Sequence, residues 1–385
     1  MLSPRRSPFA ALITVAILVV GCAGNQKRSY TAEEMRAELE TRVSMQMRDE
    51  IVIPFEIDDE IRQLARDVTS DATTDRQKVR AIVHAILDLS GFSISYDWLS
   101  NKTAREVFRE GRGNCLAYSN LFVGMARSVG VDAAYADVRF IERITREAEV
   151  VVRSTHITAA VRQAAGSFII DFTTTPEREY LGFDVIDDLE AIANFYNNQG
   201  FLYGYFTETE DVDFDPLEKE LEMYRLALEI LPTFSRARNN LGVALRRRGR
   251  VDEAIEQYKV AIEHNPKSPE AHSNLGTAHL RQGRIDDALR EYRIAVKYAG
   301  RDGYVHHRLG VVYLRLGRYE EAIEQFRKAI SKEPELADAH FHLGECYRTL
   351  GNEKKAIEHF EATLEIDPNF IAARTKLERL SEAPR

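Results

Sequence analysis

Length, composition and charge set the first bounds on this chain. It has 385 residues, of which 44% are hydrophobic and 29% are charged, with 11 prolines and 21 glycines. This composition excludes a single small module and wholesale disorder, and it favours two or three domains. The formal charge is −9: residues 1–215 hold 23 Lys and Arg against 34 Asp and Glu, whereas residues 216–385 hold 29 against 27. Neither half has the basic surplus of a nucleic-acid-binding protein, so we expect no nucleic acid as a partner.

The three cysteines, Cys22, Cys115 and Cys346, form an odd count at unrelated spacings. This pattern predicts neither a disulfide framework nor a four-ligand zinc site. We therefore expect no metal and no cofactor, and each cysteine needs its own explanation.

The first 22 residues have the organisation of a signal peptide. Two arginines precede an apolar run of 12 residues, Phe9 to Val20, which is too short to span a bilayer. The closing Val-Val-Gly-Cys, which ends at Cys22, resembles the bacterial lipobox, whose cysteine is lipidated and becomes the new N-terminus. The resemblance implies a lipid anchor in a bacterial envelope, facing the periplasm and on the outer rather than the inner membrane of a diderm cell. The alternative is a secretory signal cleaved nearby, with Cys22 incidental.

An α+β domain is predicted over residues 58–180, after a small polar tether and a helical lead-in over 23–57. Hydrophobic periodicity predicts helices over 32–50, 58–70, 75–89, 103–110 and 115–129, and strands near 92–96, 133–141, 150–163 and 167–174. Helices followed by antiparallel strands are typical of an α+β fold.

The second half of the chain repeats itself with a period of 34. Two glycine columns, an alanine column and an aromatic column share this period: Gly242, Gly276, Gly310 and Gly344; Gly249, Gly283, Gly317 and Gly351; Ala254, Ala288, Ala322 and Ala356; Tyr258, Tyr292, Phe326 and Phe360. The pattern resembles the tetratricopeptide repeat, a pair of helices joined by a turn. We predict an all-α solenoid of four repeats over 233–369, followed by a capping helix and tail over 370–385.

A degenerate first repeat is predicted over 181–232. The run from Asn197 to Gly200 echoes the run from Asn239 to Gly242 at a distance of 42 rather than 34. We interpret the difference as an insertion of about eight residues, the acidic segment TETEDVDF.

Cys115 follows Gly113-Asn114 at the predicted start of a helix, where free backbone amides and the helix dipole stabilise a thiolate. His156 lies in the strand-like STHITAAV, and Asp171 ends the apolar strand FIID. If the two strands are adjacent and antiparallel, His156 and Asp171 lie side by side. A Cys-His-Asp relay requires this arrangement, because the imidazole shares the thiol proton and the carboxylate orients the imidazole.

At these residues the chain resembles the transglutaminase-like superfamily, whose catalytic geometry is papain-like. The resemblance rests on GRGNCLAYSNLFVGMARSVGVDAAYADV, STHITAAV and FIIDFT, and it covers residues 58–178. It implies that Cys115 is the nucleophile, His156 the general base and acid, and Asp171 the orienting group. Family members often carry an aromatic residue near the histidine, where this chain has Ile157 and Thr158. The natural oxyanion donor is the backbone amide of Cys115, with Asn114 or Trp98 as side-chain candidates.

Simpler interpretations of these residues stay open. Cys115 is also compatible with an inert buried thiol, His156 with a structural sheet histidine, and the whole set with an inactive scaffold that retains the triad. Cys346 is expected to pack inside the last repeat. His272, His306 and His340 recur every 34 residues, too far apart to share one metal ion, so we interpret them as packing residues.

Arg247, Arg281 and Arg315 recur at the predicted end of each first helix. They predict a basic column in the repeat groove that binds an acidic or C-terminal segment of a protein or peptide partner. The alternative is a set of solvated helix ends that complement the helix dipole.

The sequence thus favours a membrane-anchored transglutaminase-like thiol enzyme that hydrolyses or transfers an acyl group at an amide bond. Hydrolysis is preferred over crosslinking, because nothing in the sequence shows how water would be excluded from an acyl-enzyme. The alternative is a non-catalytic interaction lipoprotein of the bacterial envelope, and a third hypothesis is an envelope peptidase that trims cell-wall peptides.

Overall fold

The computed structural model describes residues 28–89, 95–97, 99–140, 146–147, 150–151, 156–163, 166–172, 180–205, 215–300 and 302–382. The chain forms two compact units, residues 1–143 with 154–237, and residues 144–153 with 238–385. The first unit mixes helices and strands, and residues 238–382 of the second are helical wherever they form regular structure. The predicted order of an α+β domain and an all-α repeat array is confirmed.

The elements before the repeats begin and end as follows. The helices are α1 Ala32–Arg42, α2 Asp59–Val68, α3 Asp75–Leu89, α4 Ala104–Glu110, α5 Cys115–Ser128, α6 Asp188–Tyr205 and α7 Pro216–Ile230. The strands are β1 Ser95–Tyr96, β2 Arg112–Gly113, β3 Ala133–Phe140, β4 Arg146–Glu147, β5 Val150–Val151, β6 His156–Val161, β7 Phe168–Ile170 and β8 Tyr180–Ile186. Up to β7, most of the predicted segments contain the expected element. The predicted helix over 32–50, however, is α-helical only over α1 and continues as a 3-10 helix over Met45–Glu50, and β2 and β4 were not predicted.

A four-stranded antiparallel sheet with the order β7-β6-β3-β8 forms the centre of the first unit. Helix α5 packs against β6 and β3, which places the start of α5 beside the sheet. Strand β8 pairs along β3 from Phe140↔Tyr180 to Tyr135↔Ile186. The sheet thus extends past the predicted domain boundary at residue 180, because it is completed only at Ile186.

The lead-in is a folded part of the first unit from Tyr30 onward. Tyr30 is buried, its N–H donates to Asp188 Oδ2 at 2.8 Å, and its carbonyl accepts from Arg127 at 3.1 Å. Met35 and Leu39 of α1 are fully buried. The predicted tether thus extends at most to the residues before Tyr30, because these side chains and backbone groups are held in the core.

Helices α6 and α7 pack on each other through the same glycine–aromatic contact that joins the helices of the regular repeats. A Cβ on Gly200 would lie 2.7 Å from the Tyr224 ring, as one on Gly242 would lie 2.6 Å from Tyr258. This contact supports the 42-residue alignment. The pair nevertheless belongs to the first unit, not to the repeat array. One reason is that Tyr196 Oη of α6 accepts a 2.7 Å bond from the Val52 N–H in the lead-in.

The repeat array consists of four helix pairs and a closing helix. Its elements are α8 Ser235–Arg247, α9 Val251–His264, α10 Pro269–Arg281, α11 Ile285–Tyr298, α12 Gly303–Arg315, α13 Tyr319–Lys332, α14 Ala337–Thr349, α15 Glu353–Ile366 and α16 Ile371–Glu382. The first glycine column lies against the aromatic column, and the alanine column is fully buried. The second glycine column turns between the paired helices with φ between 70° and 77°, a conformation that favours glycine.

Candidate active site

Cys115 is the first residue of α5 and is 9% exposed. Asn114 caps the helix, because its Oδ1 accepts a 2.9 Å bond from the Ala117 N–H. Gly113 is required just before the cap, since a Cβ there would lie 2.9 Å from Ala117 Cβ. The short turn between α4 and α5 therefore fixes the thiol at a helix N-terminus, as predicted.

His156 and Asp171 meet at one end of the β6–β7 pair. The antiparallel register runs from Val161↔Phe168 to Ala159↔Ile170, so the two residues lie just beyond the last pair. His156 Nε2 lies 2.8 Å from Asp171 Oδ1, and the two residues are 5% and 2% exposed. The predicted juxtaposition of the imidazole and the carboxylate is present in the structure.

The thiol of Cys115 is hydrogen-bonded to His156, which completes a chain from sulfur to carboxylate. Burial by itself lowers the pKa of His156. The charge of Cys115 and the hydrogen bonds from Asp171 and Cys115 outweigh burial and raise the pKa to about 10. The site therefore favours the protonated imidazolium form of His156 at neutral pH.

The ring of Phe172, directly after Asp171, is fully buried beside α5. It stacks on Tyr118 with the ring centroids 5.9 Å apart. Tyr118 in turn donates from its hydroxyl to the Gly111 carbonyl at 2.9 Å. These contacts connect the segment that carries Asp171 to α5, the helix that carries the Cys115 thiol. Neither ring was predicted as part of the site, although an aromatic residue directly after the aspartate was the available signal.

The candidate oxyanion donors differ in their positions. The N–H of Cys115 stands at the first helical position and has no acceptor within α5. Asn114 Oδ1 accepts the bond that caps the helix, and its Nδ2 amino group is the part that could donate to an oxyanion. Trp98 lies outside the described residues. Within the described residues, the Cys115 N–H and the Asn114 amino group are thus the candidate donors.

The predicted arginine column is found at three helix ends. Arg247, Arg281 and Arg315 are the last residues of α8, α10 and α12, and all three side chains are exposed. A second arginine column also keeps the 34-residue period, and it was missed in the sequence. Its members each pair with an acidic residue three positions later: Arg250 with Glu253, Arg284 with Asp287, and Arg318 with Glu321.

The histidine column links the two helices in each of the last three repeats. Nδ1 of His272, His306 and His340 contacts the residue 19 positions later, at 2.7, 2.9 and 3.4 Å. The partners are Glu291, Gln325 and His359. Within the described residues, no three His, Cys, Asp or Glu side chains are grouped to hold a metal ion.

The other two cysteines have separate positions. Cys346 is fully buried in the repeat core, where burial raises the pKa of its thiol to about 12. This confirms the predicted packing role. Cys22 and the leader lie outside the described residues. In the part of the chain that is described, no helix is long and apolar enough to cross a membrane.

Comparisons with known proteins agree with this architecture. A family model of the transglutaminase-like superfamily matches residues 62–170, which include Cys115 and His156. Models of tetratricopeptide repeats match residues 244–283, 273–332 and 307–369. The chain thus contains a transglutaminase-like domain followed by tetratricopeptide repeats. No curated protein matches it.

Several solved repeat proteins are similar to this chain. YrrB, described as a repeat protein with an unusual peptide-binding site, is 24% identical over 48% of this chain and 92% of its own, with a TM-score of 0.39. The protein pilF of Pseudomonas aeruginosa is 19% identical over 50% and 85%, with a TM-score of 0.46. A MamA structure from Desulfovibrio magneticus is 22% identical over 48% and 98%, with a TM-score of 0.36.

Proposed function

We propose that the transglutaminase-like domain is a thiol enzyme that acts on amide bonds, with Cys115 as nucleophile, His156 as general acid and base, and Asp171 as orienting group. The observation that carries the proposal is the continuous hydrogen-bonded chain from the Cys115 thiol through His156 to Asp171, held at a helix N-terminus. An activated cysteine requires a neighbouring base, a group that orients this base, and surroundings that stabilise the thiolate.

The reaction follows from the arrangement. The Cys115 thiolate attacks the amide carbonyl carbon, and the carbonyl oxygen takes up negative charge beside the Cys115 N–H. The C–N bond then breaks, and the His156 imidazolium gives its proton to the departing amine. A thioester remains on Cys115. Water then attacks the thioester while His156 accepts its proton, and this step releases a carboxylic acid and restores the thiolate–imidazolium pair.

Asp171 keeps His156 in the orientation that this cycle requires. Because Nε2 of His156 is bonded to Asp171, the other ring nitrogen is the one that serves Cys115. The carboxylate also stabilises the imidazolium each time it forms. Hydrolysis is the proposed outcome; an amine in place of water would give acyl transfer through the same thioester.

The repeat array, in this proposal, binds a protein or peptide that brings substrate to the enzyme. The exposed column of Arg247, Arg281 and Arg315 would bind carboxylates of that partner. Lipidation of Cys22 would anchor the mature protein on the periplasmic face of a bacterial envelope membrane. Together these features describe a tethered enzyme with its own recruitment module.

Trapping the acyl-enzyme tests the proposed chemistry. Mature protein is incubated with a peptide extract of the bacterial envelope, quenched in acid, digested and weighed by mass spectrometry. We expect an added mass on the Cys115 peptide that hydroxylamine removes, as it removes thioesters, and no added mass in Cys115→Ser. Cys346 serves as the internal control, because its thiol is fully buried. Absence of any acyl adduct would favour the non-catalytic scaffold.

A further inference from the structure

Thr158 is a fully buried polar residue in the sheet, two positions after His156 on β6. Its hydroxyl donates a hydrogen bond to the backbone carbonyl of Ile170. Ile170 is the last residue of β7 and immediately precedes Asp171. One side-chain hydrogen bond thus joins the strand that carries the imidazole to the strand that carries the carboxylate.

The hydrogen bond from Thr158 to Ile170 lies at the end of the paired segment of β6 and β7. The paired register of β6 and β7 ends at Ala159↔Ile170, and the next residues toward the site are Thr158 and Asp171. Beyond the last backbone pair, side-chain contacts determine the position of the strand end. The Thr158 hydroxyl supplies such a contact at the residue directly before the carboxylate.

Asp171 is therefore fixed from both sides along the chain. On one side the Ile170 carbonyl is bonded to Thr158, and on the other side the Phe172 ring stacks on Tyr118. A shift of about 1 Å in a catalytic group is enough to reduce reactivity strongly. A buried carboxylate held at 2.8 Å from His156 Nε2 needs restraint of this kind.

We propose that Thr158 is a positioning residue, which sets the Asp171 carboxylate against His156 and so maintains the reactive pair with Cys115. The inference rests on the proposed function.

The test compares Thr158→Val, which keeps the shape and loses the hydroxyl, with Thr158→Ser, which keeps the hydroxyl. The matched control is Thr69→Val, because Thr69 is also buried in this unit and its hydroxyl donates to the Ala65 carbonyl at 2.7 Å. The rate of Cys115 alkylation by iodoacetamide is measured from pH 5 to 10, and the proton resonances of the His156 imidazole are followed by NMR.

We expect Thr158→Val to slow alkylation about fivefold at pH 7, the effect of one lost hydrogen bond, and to move the imidazole resonances. Thr158→Ser should restore the rate to within about twofold, and Thr69→Val should lower thermal stability without changing the rate. If valine does not fit at position 158, Thr158→Ala replaces it in the comparison with Thr158→Ser.

Three results would overturn the inference: a wild-type rate and pH profile in Thr158→Val, failure of serine to restore them, or equal slowing in Thr69→Val. His156→Ala, measured in parallel, separates this inference from its premise. If His156→Ala slows alkylation and Thr158→Val does not, only the role of Thr158 is refuted. If His156→Ala leaves the rate unchanged, the proposed function and the inference both fail.

Discussion

The imidazole of His156 and the carboxylate of Asp171 meet across two neighbouring strands, with Nε2 2.8 Å from Oδ1 and both side chains buried. Burial opposes the charged form of the imidazole, but the charge of Cys115 and the hydrogen bond to the carboxylate favour it.

Asp171→Asn should slow the alkylation of Cys115 about tenfold at pH 7, because a neutral amide stabilises the imidazolium less than a carboxylate does. The measurement is the iodoacetamide rate, with Asp188→Asn as the control. Asp188 is equally buried in the same unit and pairs with Arg127 at 2.8 Å, away from the thiol. Equal slowing in both variants would show that loss of a buried charge, not orientation of His156, is responsible.

The stability of the first unit should depend on the His156 proton. Burial opposes protonation, but the Cys115 charge and the bonds from Asp171 and Cys115 raise the pKa of His156 from 6.5 to about 10. The folded state thus binds this proton more tightly than the unfolded chain. Its stabilising contribution is complete below pH 6.5 and is lost as the pH rises through about 10.

Urea unfolding of wild type and His156→Gln at several pH values measures this contribution. The difference in the free energy of unfolding should be largest at pH 6 and should shrink steadily towards pH 10. A constant difference over this range would mean that His156 does not carry the expected proton.

The last repeat should be sensitive to acid. Burial, and then the charge of His340, lower the pKa of His359, so the folded repeat binds this proton less tightly than the unfolded chain. The stabilising contribution is complete above pH 6.5 and is lost as the pH falls below that value. His359→Gln copies the His306–Gln325 pair of the preceding repeat and should raise the melting temperature at pH 5 more than at pH 7.5.

Hydrogen exchange in α14 and α15 locates the effect of His359→Gln, and His264→Gln is the control because His264 is an exposed histidine in another repeat. A gain of equal size at both pH values would contradict the proposed repulsion between the two imidazoles.

Reversal of the arginine column should weaken partner binding. The triple variant Arg247→Glu, Arg281→Glu, Arg315→Glu is tested against an array of acidic peptides with free C-terminal carboxylates, and we expect binding to weaken at least about tenfold. The control reverses the other column: Arg250→Glu, Arg284→Glu, Arg318→Glu. It changes the net charge equally in the same repeats, and its arginines are already paired with their own acidic residues. Equal losses would show that net charge alone governs binding.

Cys22→Ser should release the protein from membranes, because acyl chains provide the anchoring free energy. Fractionation of cells expressing wild type and the variant measures the release, and labelling with a tagged fatty acid reports the modification itself. Continued labelling of Cys22→Ser would show that another residue is acylated.

Much of the fold follows from short-range patterns in the sequence. The 34-residue period predicts the repeat helices, and the order of Cys115, His156 and Asp171 predicts the site geometry. These features are predictable because helix periodicity, caps and hairpin-like pairing depend on neighbouring residues.

The features that sequence analysis missed depend on contacts between distant segments. The pairing of β8 with β3 and the bond from Val52 to Tyr196 join residues with no local signal in common. The hydrogen bond from Thr158 to Ile170 depends on strand register, which a single sequence does not specify. The domain boundary and the supports of Asp171 therefore needed the structure.

The pH dependence of Cys115 alkylation is the most direct test of the central claim. In the mature wild-type protein, the rate at pH 6.5–7 should already be close to its value at pH 9, because His156 maintains the thiolate. In His156→Ala, the rate at neutral pH should fall at least about tenfold and should rise with pH as for a free thiol near pH 8.5. If wild type itself titrates near 8.5 and His156→Ala behaves identically, Cys115 is not an activated nucleophile and the enzyme hypothesis is wrong.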